Sequence, residues 1–125
     1  MKAGLSLAGD GYGWFSQEGM AKIRMPMMFM AGRLDTVCPL DTQAAPEYQG
    51  FVATKYLFIQ DKADHMAFVN GCSLATVANC DALHTQIESV SIAFWSLHLK
   101  KDGVYAETLR GFSQPDATLL SEAAK

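Results

Sequence analysis

Asp35 and His65 are the residues of this chain whose types and placement suggest chemistry. Each follows a short apolar run. Met27 to Ala31 ends in Gly32 and then the acid; Tyr56 to Ile59 ends in a polar loop and then the histidine. Two adjacent strands would each deliver one titratable side chain at their C-terminal ends, where open α/β sheets place their sites. A carboxylate beside an imidazole fixes its tautomer and stabilises its charged form. Such a pair forms the acid and base of a nucleophilic mechanism and lacks the nucleophile. Read by residue type alone, Asp35 is more simply a loop or helix-capping carboxylate, and His65 an exposed loop histidine. His84 and His98 lie on a long helix and read as structural, His98 near the helix end where a positive charge suits the dipole.

The elements that must position the pair are legible in outline. Lys2 to Ala8 is short and apolar and reads as a buried strand. Gly9-Asp10-Gly11-Tyr12-Gly13 reads as the loop after it, and Ser16 to Lys22 as one or two helical turns with Ser16 as N-cap. Pro26 is tolerated at a strand's start, so Met27 to Ala31 is the second strand. A short helix ending near Gly50, interrupted or kinked by Pro46, leads to a third strand, Lys55 to Ile59. Leu83, Ile87, Val90, Phe94 and Leu97 recur at helical spacing, and Ile92, Trp95 and Leu99 widen that stripe. Gly103 is a plausible stop. The tail from Val104 to Lys125 reads as a surface turn and a short helix. Strand, short helix, strand, short helix, strand, long helix is an α/β order with a parallel sheet. Three strands cover little of a sheet that buries both faces, so the expected arrangement is part of a larger one.

Composition bounds the function. The 125 residues suffice for one core, half of them hydrophobic and 18% charged, as in a globular chain. A net charge of -3 offers no basic patch and argues against a nucleic-acid partner. No apolar run approaches the roughly 20 residues of a membrane span, and the N-terminal stretch is too short for a signal peptide. Cys38, Cys72 and Cys80 include no C-x-x-C, and the histidines are scattered, which argues against zinc. Cys72 and Cys80, eight apart, are either a disulfide or two half-buried thiols.

Gly32-Arg33-Leu34-Asp35-Thr36-Val37-Cys38-Pro39 fits G-x-x-D-x-x-x-P directly after a strand. With Ala63-Asp64-His65 after the next strand and the long helix, the chain from Lys2 to about Lys101 resembles the C-terminal part of an α/β-hydrolase. Pro46-Glu47-Tyr48, Lys55-Tyr56-Leu57 and His65-Met66-Ala67-Phe68 bring it closest to dienelactone-hydrolase-like and polyester-hydrolase-like members. In that family the triad runs nucleophile, acid, histidine. The resemblance therefore implies Asp35 as the acid, His65 as the general base, and no metal or organic cofactor. Asp64 departs from the small residue usual before the histidine, and a charge there would favour the imidazolium.

Gly4-Leu5-Ser6-Leu7-Ala8 imitates a nucleophile motif. That motif needs a preceding strand and a following helix. Three residues cannot make the strand, and Gly9-Asp10-Gly11 cannot begin the helix. Cys72 and Ser73 follow the histidine, in the wrong order. The resemblance thus implies a partial hydrolase domain over residues 1–125, without the N-terminal half and nucleophile elbow. Lys2 to Ala8 would be the strand after the missing nucleophile helix.

The short segment from Gly9 to Arg24, where many relatives insert a lid, implies an open site for a small or polymeric ester. Trp14 and Phe15 in it would bind the acyl or aromatic part, or pack on the sheet's rim. In relatives with a cysteine pair after the histidine a disulfide ties that loop and export is common, so the resemblance implies a Cys72–Cys80 bond and a periplasmic or secreted location. The rival from another class is an inactive interaction module. A strand at a raw sheet edge pairs with other chains, by self-association or with a complementing N-terminal half. A flavodoxin-like binding domain is disfavoured, because no glycine-rich phosphate loop opens a helix after the first strand.

Overall fold

The computed structural model describes residues 2–73 and 77–124. Met27–Gly32 (β2) and Lys55–Gln60 (β3) are its central strands. Their unbroken apolar runs follow from burial on both faces. One face carries Met28, Met30, Tyr56 and Phe58 against Val90, Phe94 and Leu109. The other carries Phe29, Ala31, Leu57 and Ile59 against Ala44, Tyr48 and Phe51. Phe58 and Phe94 are fully buried, so truncating either to Ala costs about 3–5 kcal/mol.

Gly4–Leu7 (β1) pairs parallel with β2, and β2 parallel with β3; β1 is not the buried strand expected, because it lies at the sheet edge and leaves Leu7 exposed. Tyr12–Met20 (α1) connects the first pair and Ala44–Gly50 (α2) the second. After β3 come two 3-10 turns, His65–Phe68 and Val77–Asn79, then Cys80–Leu99 (α3) and Val104–Arg110 (α4). The fold is α/β with a four-stranded, mostly parallel sheet in the order β1-β2-β3-β4. The fourth strand, Ala117–Glu122 (β4), runs antiparallel along β3.

β4 corrects the expectation of three parallel strands and a tail of turn and helix; α4 is the helix of that tail. Glu122 on β4 pairs with the buried Lys55 of β3 at 3.2 Å, and Lys55 also lies over the Tyr48 ring. Pro46 does not interrupt α2. It stands in the first turn, where its missing N–H has no helical acceptor in any case. The helical segment starts earlier than expected, at Tyr12, and is two pieces that meet at a kink at Ser16 (φ 54°, ψ 173°), so the second piece begins at the residue expected to open it. On α3, Leu83, Val90 and Phe94 are buried, with Ile87 and Leu97 packed beside them. Ile92 and Leu99 are exposed, because they lie about 200° and 180° around the helix from Val90. The chain leaves α3 through Lys101 at φ 58°, ahead of Gly103.

Candidate functional site

The three parallel strands present their C-terminal ends on one side of the sheet, and the loops leaving β2 and β3 meet there. Gly32 makes this meeting possible. A Cβ at Gly32 would lie 2.2 Å from the backbone oxygen of Ala63. With only hydrogen there, Leu34 N–H donates to Ala63 C=O at 2.9 Å, and Arg33 N–H to Gln60 C=O at 2.9 Å. The loop carrying Asp35 is thereby hydrogen-bonded to the segment just before His65.

Asp35 and His65 are brought together. Asp35 Oδ2 lies 2.9 Å from His65 Nδ1. The carboxylate is fully buried, while the imidazole keeps about a third of its surface exposed. The other oxygen, Oδ1, accepts the backbone N–H groups of Val37 and Cys38, each at 2.8 Å. This is the turn that an aspartate side chain builds with the backbone two and three residues on. With Nδ1 turned to the acid, the remaining ring nitrogen, Nε2, is the one left for a reacting group.

Asp64 caps the histidine's own turn. Its Oδ1 accepts from Ala67 N–H, and the Ser73 hydroxyl donates to Oδ2. Asp64 thereby helps hold the turn that carries His65.

Trp14 and Phe15 stand on α1, the helix after the β1 end loop, and are 83% and 58% exposed. They do not pack into the sheet's rim. Leu34, Val37, Met66 and Val69 are exposed too, in the segments that carry Asp35 and His65. Sequence reasoning passed over these four. The signal was there: apolar side chains in loops that are otherwise polar.

Glu47, in the Pro46-Glu47-Tyr48 stretch, carries a role that its sequence context does not announce. It is buried on α2, and its Oε1 accepts the N–H groups of Gly11 and Tyr12, the latter at 2.9 Å. It thus fixes the β1 end loop beside the pair. Burial raises its pKa, with the two backbone donors opposing.

The described residues hold no activated nucleophile beside His65. Ser6 lies inside β1 opposite Phe29, with Oγ against Gly9, and so is not on a strand-to-helix turn. Burial and the negative charges of Asp35, Asp10 and Glu47 raise the pKa of the Cys38 thiol, which disfavours the nucleophilic thiolate. Cys72 is bonded to Cys80, tying the segment after His65 to the start of α3. His98 is half-buried, 3.1 Å from the Tyr56 hydroxyl and packed on Phe94. Burial lowers its pKa, so the positive charge expected near the helix end is disfavoured.

No protein-family model matches the chain, and no curated protein matches it.

Proposed function

We propose that this chain is the C-terminal segment of a serine-type α/β-hydrolase acting on carboxylic esters, in which Asp35 and His65 are the acid and base of the triad. The observation that supports it is the 2.9 Å contact between a buried carboxylate and a half-exposed imidazole at the C-terminal ends of adjacent parallel strands. The nucleophile, a serine or a cysteine, comes from chain outside these residues. The position of β1 at the sheet edge suits that, since a further strand can pair along its outer side.

The chemistry follows from which nitrogen faces what. Nδ1–H donates to Asp35, so Nε2 carries the lone pair that accepts the nucleophile's proton as it attacks the ester carbonyl. The imidazolium so formed is stabilised by the Asp35 carboxylate. It gives the proton to the departing alcohol as the tetrahedral adduct collapses to an acyl-enzyme. Water then repeats the sequence on the acyl group, with His65 again the base. The exposed Trp14, Phe15, Leu34, Val37, Met66 and Val69 supply apolar surface for the acyl part of the substrate.

The test is pre-steady-state kinetics with an activated aryl ester, on protein made from the whole reading frame that contains these residues. A burst of phenol equal to the enzyme, strongly slowed in His65→Ala, is expected. Absence of both burst and turnover would overturn the reading.

A further inference from the structure

We propose that Cys72, Cys80 and His84 form a binding site for a thiolate-seeking cation, zinc foremost, once the disulfide is reduced. The inference is independent of the hydrolase reading. It starts from a convergence hidden by spacing: Cys80 and His84 are four apart on one face of α3, and Cys72 arrives from the segment after the His65 turn. The three donor atoms lie within 4.8 Å of one another. His84 Nε2 is 3.8 Å from Cys72 Sγ and 3.9 Å from Cys80 Sγ.

Those spacings suit a tetrahedral ion. Zinc bonds of about 2.3 Å to sulfur and about 2.0–2.1 Å to nitrogen give sulfur–nitrogen edges of about 3.6 Å and a sulfur–sulfur edge of about 3.8 Å. The sulfur–nitrogen edges need to contract only slightly. The sulfurs must part from bonding to non-bonded contact, which is what reduction does. All three residues are half-buried, so a reductant and a cation can both reach them. Two thiolates and one imidazole leave a fourth position for water.

The exchange balances as follows. A dithiol delivers two electrons and two protons; the Cys72–Cys80 bond breaks, a disulfide forms in the reductant, and two cysteine thiols result. The cation displaces both thiol protons to solvent and takes the neutral His84 nitrogen as its third protein ligand. The metal then holds the same segment to α3 that the disulfide held.

The experiment uses the full chain with Cys38→Ser, which removes the third thiol. The protein is reduced with a phosphine, freed of it anaerobically, and titrated with cobalt(II) and then zinc. The expected result is one cobalt per chain, with a thiolate-to-cobalt absorption band and the strong visible bands of a tetrahedral ion, displaced by zinc. The oxidised chain should show no band. His84→Ala should weaken binding by more than the roughly 10–100-fold that loss of a supporting contact to a ligand costs. In the reduced parent chain, zinc should shift the His84 ring nitrogen resonances, a readout that does not depend on the variant folding. A reduced chain without the thiolate band, unchanged affinity in His84→Ala, or unmoved His84 resonances would each overturn the proposal.

Discussion

Asp35 holds His65 with one carboxylate oxygen and is itself held by the other: Oδ2 meets Nδ1 at 2.9 Å while Oδ1 accepts two backbone N–H groups at 2.8 Å. The carboxylate cannot rotate away without leaving those donors unsatisfied, so the ring it faces is also fixed. Asp35→Asn tests this. The amide oxygen would keep the two backbone bonds, and the amide nitrogen would then face Nδ1 as a donor. That forces the proton of neutral His65 onto Nε2, the wrong tautomer for a base. Nitrogen-15 spectra of the His65 ring should show Nδ1–H in the parent and Nε2–H in the variant.

Gly32 lies directly against the backbone of the segment that leads to His65. Gly32→Ala places a methyl group against the backbone of Ala63, which cannot yield as a flexible side chain would. The expected cost is about 1–3 kcal/mol, as for other overpacked sites. A lowered denaturation midpoint with the slope unchanged, together with shifted His65 resonances, would report it.

Glu47 makes two opposed predictions. Glu47→Ala strands the N–H groups of Gly11 and Tyr12 and should cost about 1–3 kcal/mol. Glu47→Gln keeps an oxygen for both donors and removes the buried charge. Because burial raises the folded pKa, the contribution of Glu47 is complete below its unfolded value of 4.5 and is lost as pH rises through the folded value. Glu47→Gln should therefore match or exceed the parent at neutral pH and lose its advantage in acid. Denaturant melts at both ends of that range decide it.

His98 acts with the other sign. Its folded pKa lies below 6.5, so the unfolded chain binds the proton first as the medium is acidified. Its contribution is complete above 6.5 and is lost as pH falls through 6.5 towards the folded value. His98→Gln should flatten the fall in melting temperature over that interval, on top of a pH-independent lowering from the lost ring contacts with Tyr56 and Phe94.

Strong local patterns carried the readable part of the fold. β2 and β3 are legible because burial on both faces demands continuous apolar runs, and α3 because its stripe spans about four turns. β4 was not legible. As an edge strand it places Leu119 against the core but leaves Leu120 exposed, and Lys55, its charged partner through Glu122, lies more than sixty residues earlier. In the site, Asp35 and His65 could be picked out by their places after strands, yet nothing local announces Glu47 as the anchor of the β1 loop. Its partners are backbone groups 35 and 36 residues away. His84 is illegible as a ligand for the same reason. Only folding brings it to both cysteines.

The most direct test of the acid–base pair is kcat/KM for an activated aryl ester, measured on protein made from the whole reading frame containing these residues. The parent should hydrolyse the ester. His65→Ala and Asp35→Asn should each lower kcat/KM by about three orders of magnitude or more, mostly through kcat. Parent-like turnover in either variant would contradict the assignment of Asp35 and His65 as the catalytic acid and base.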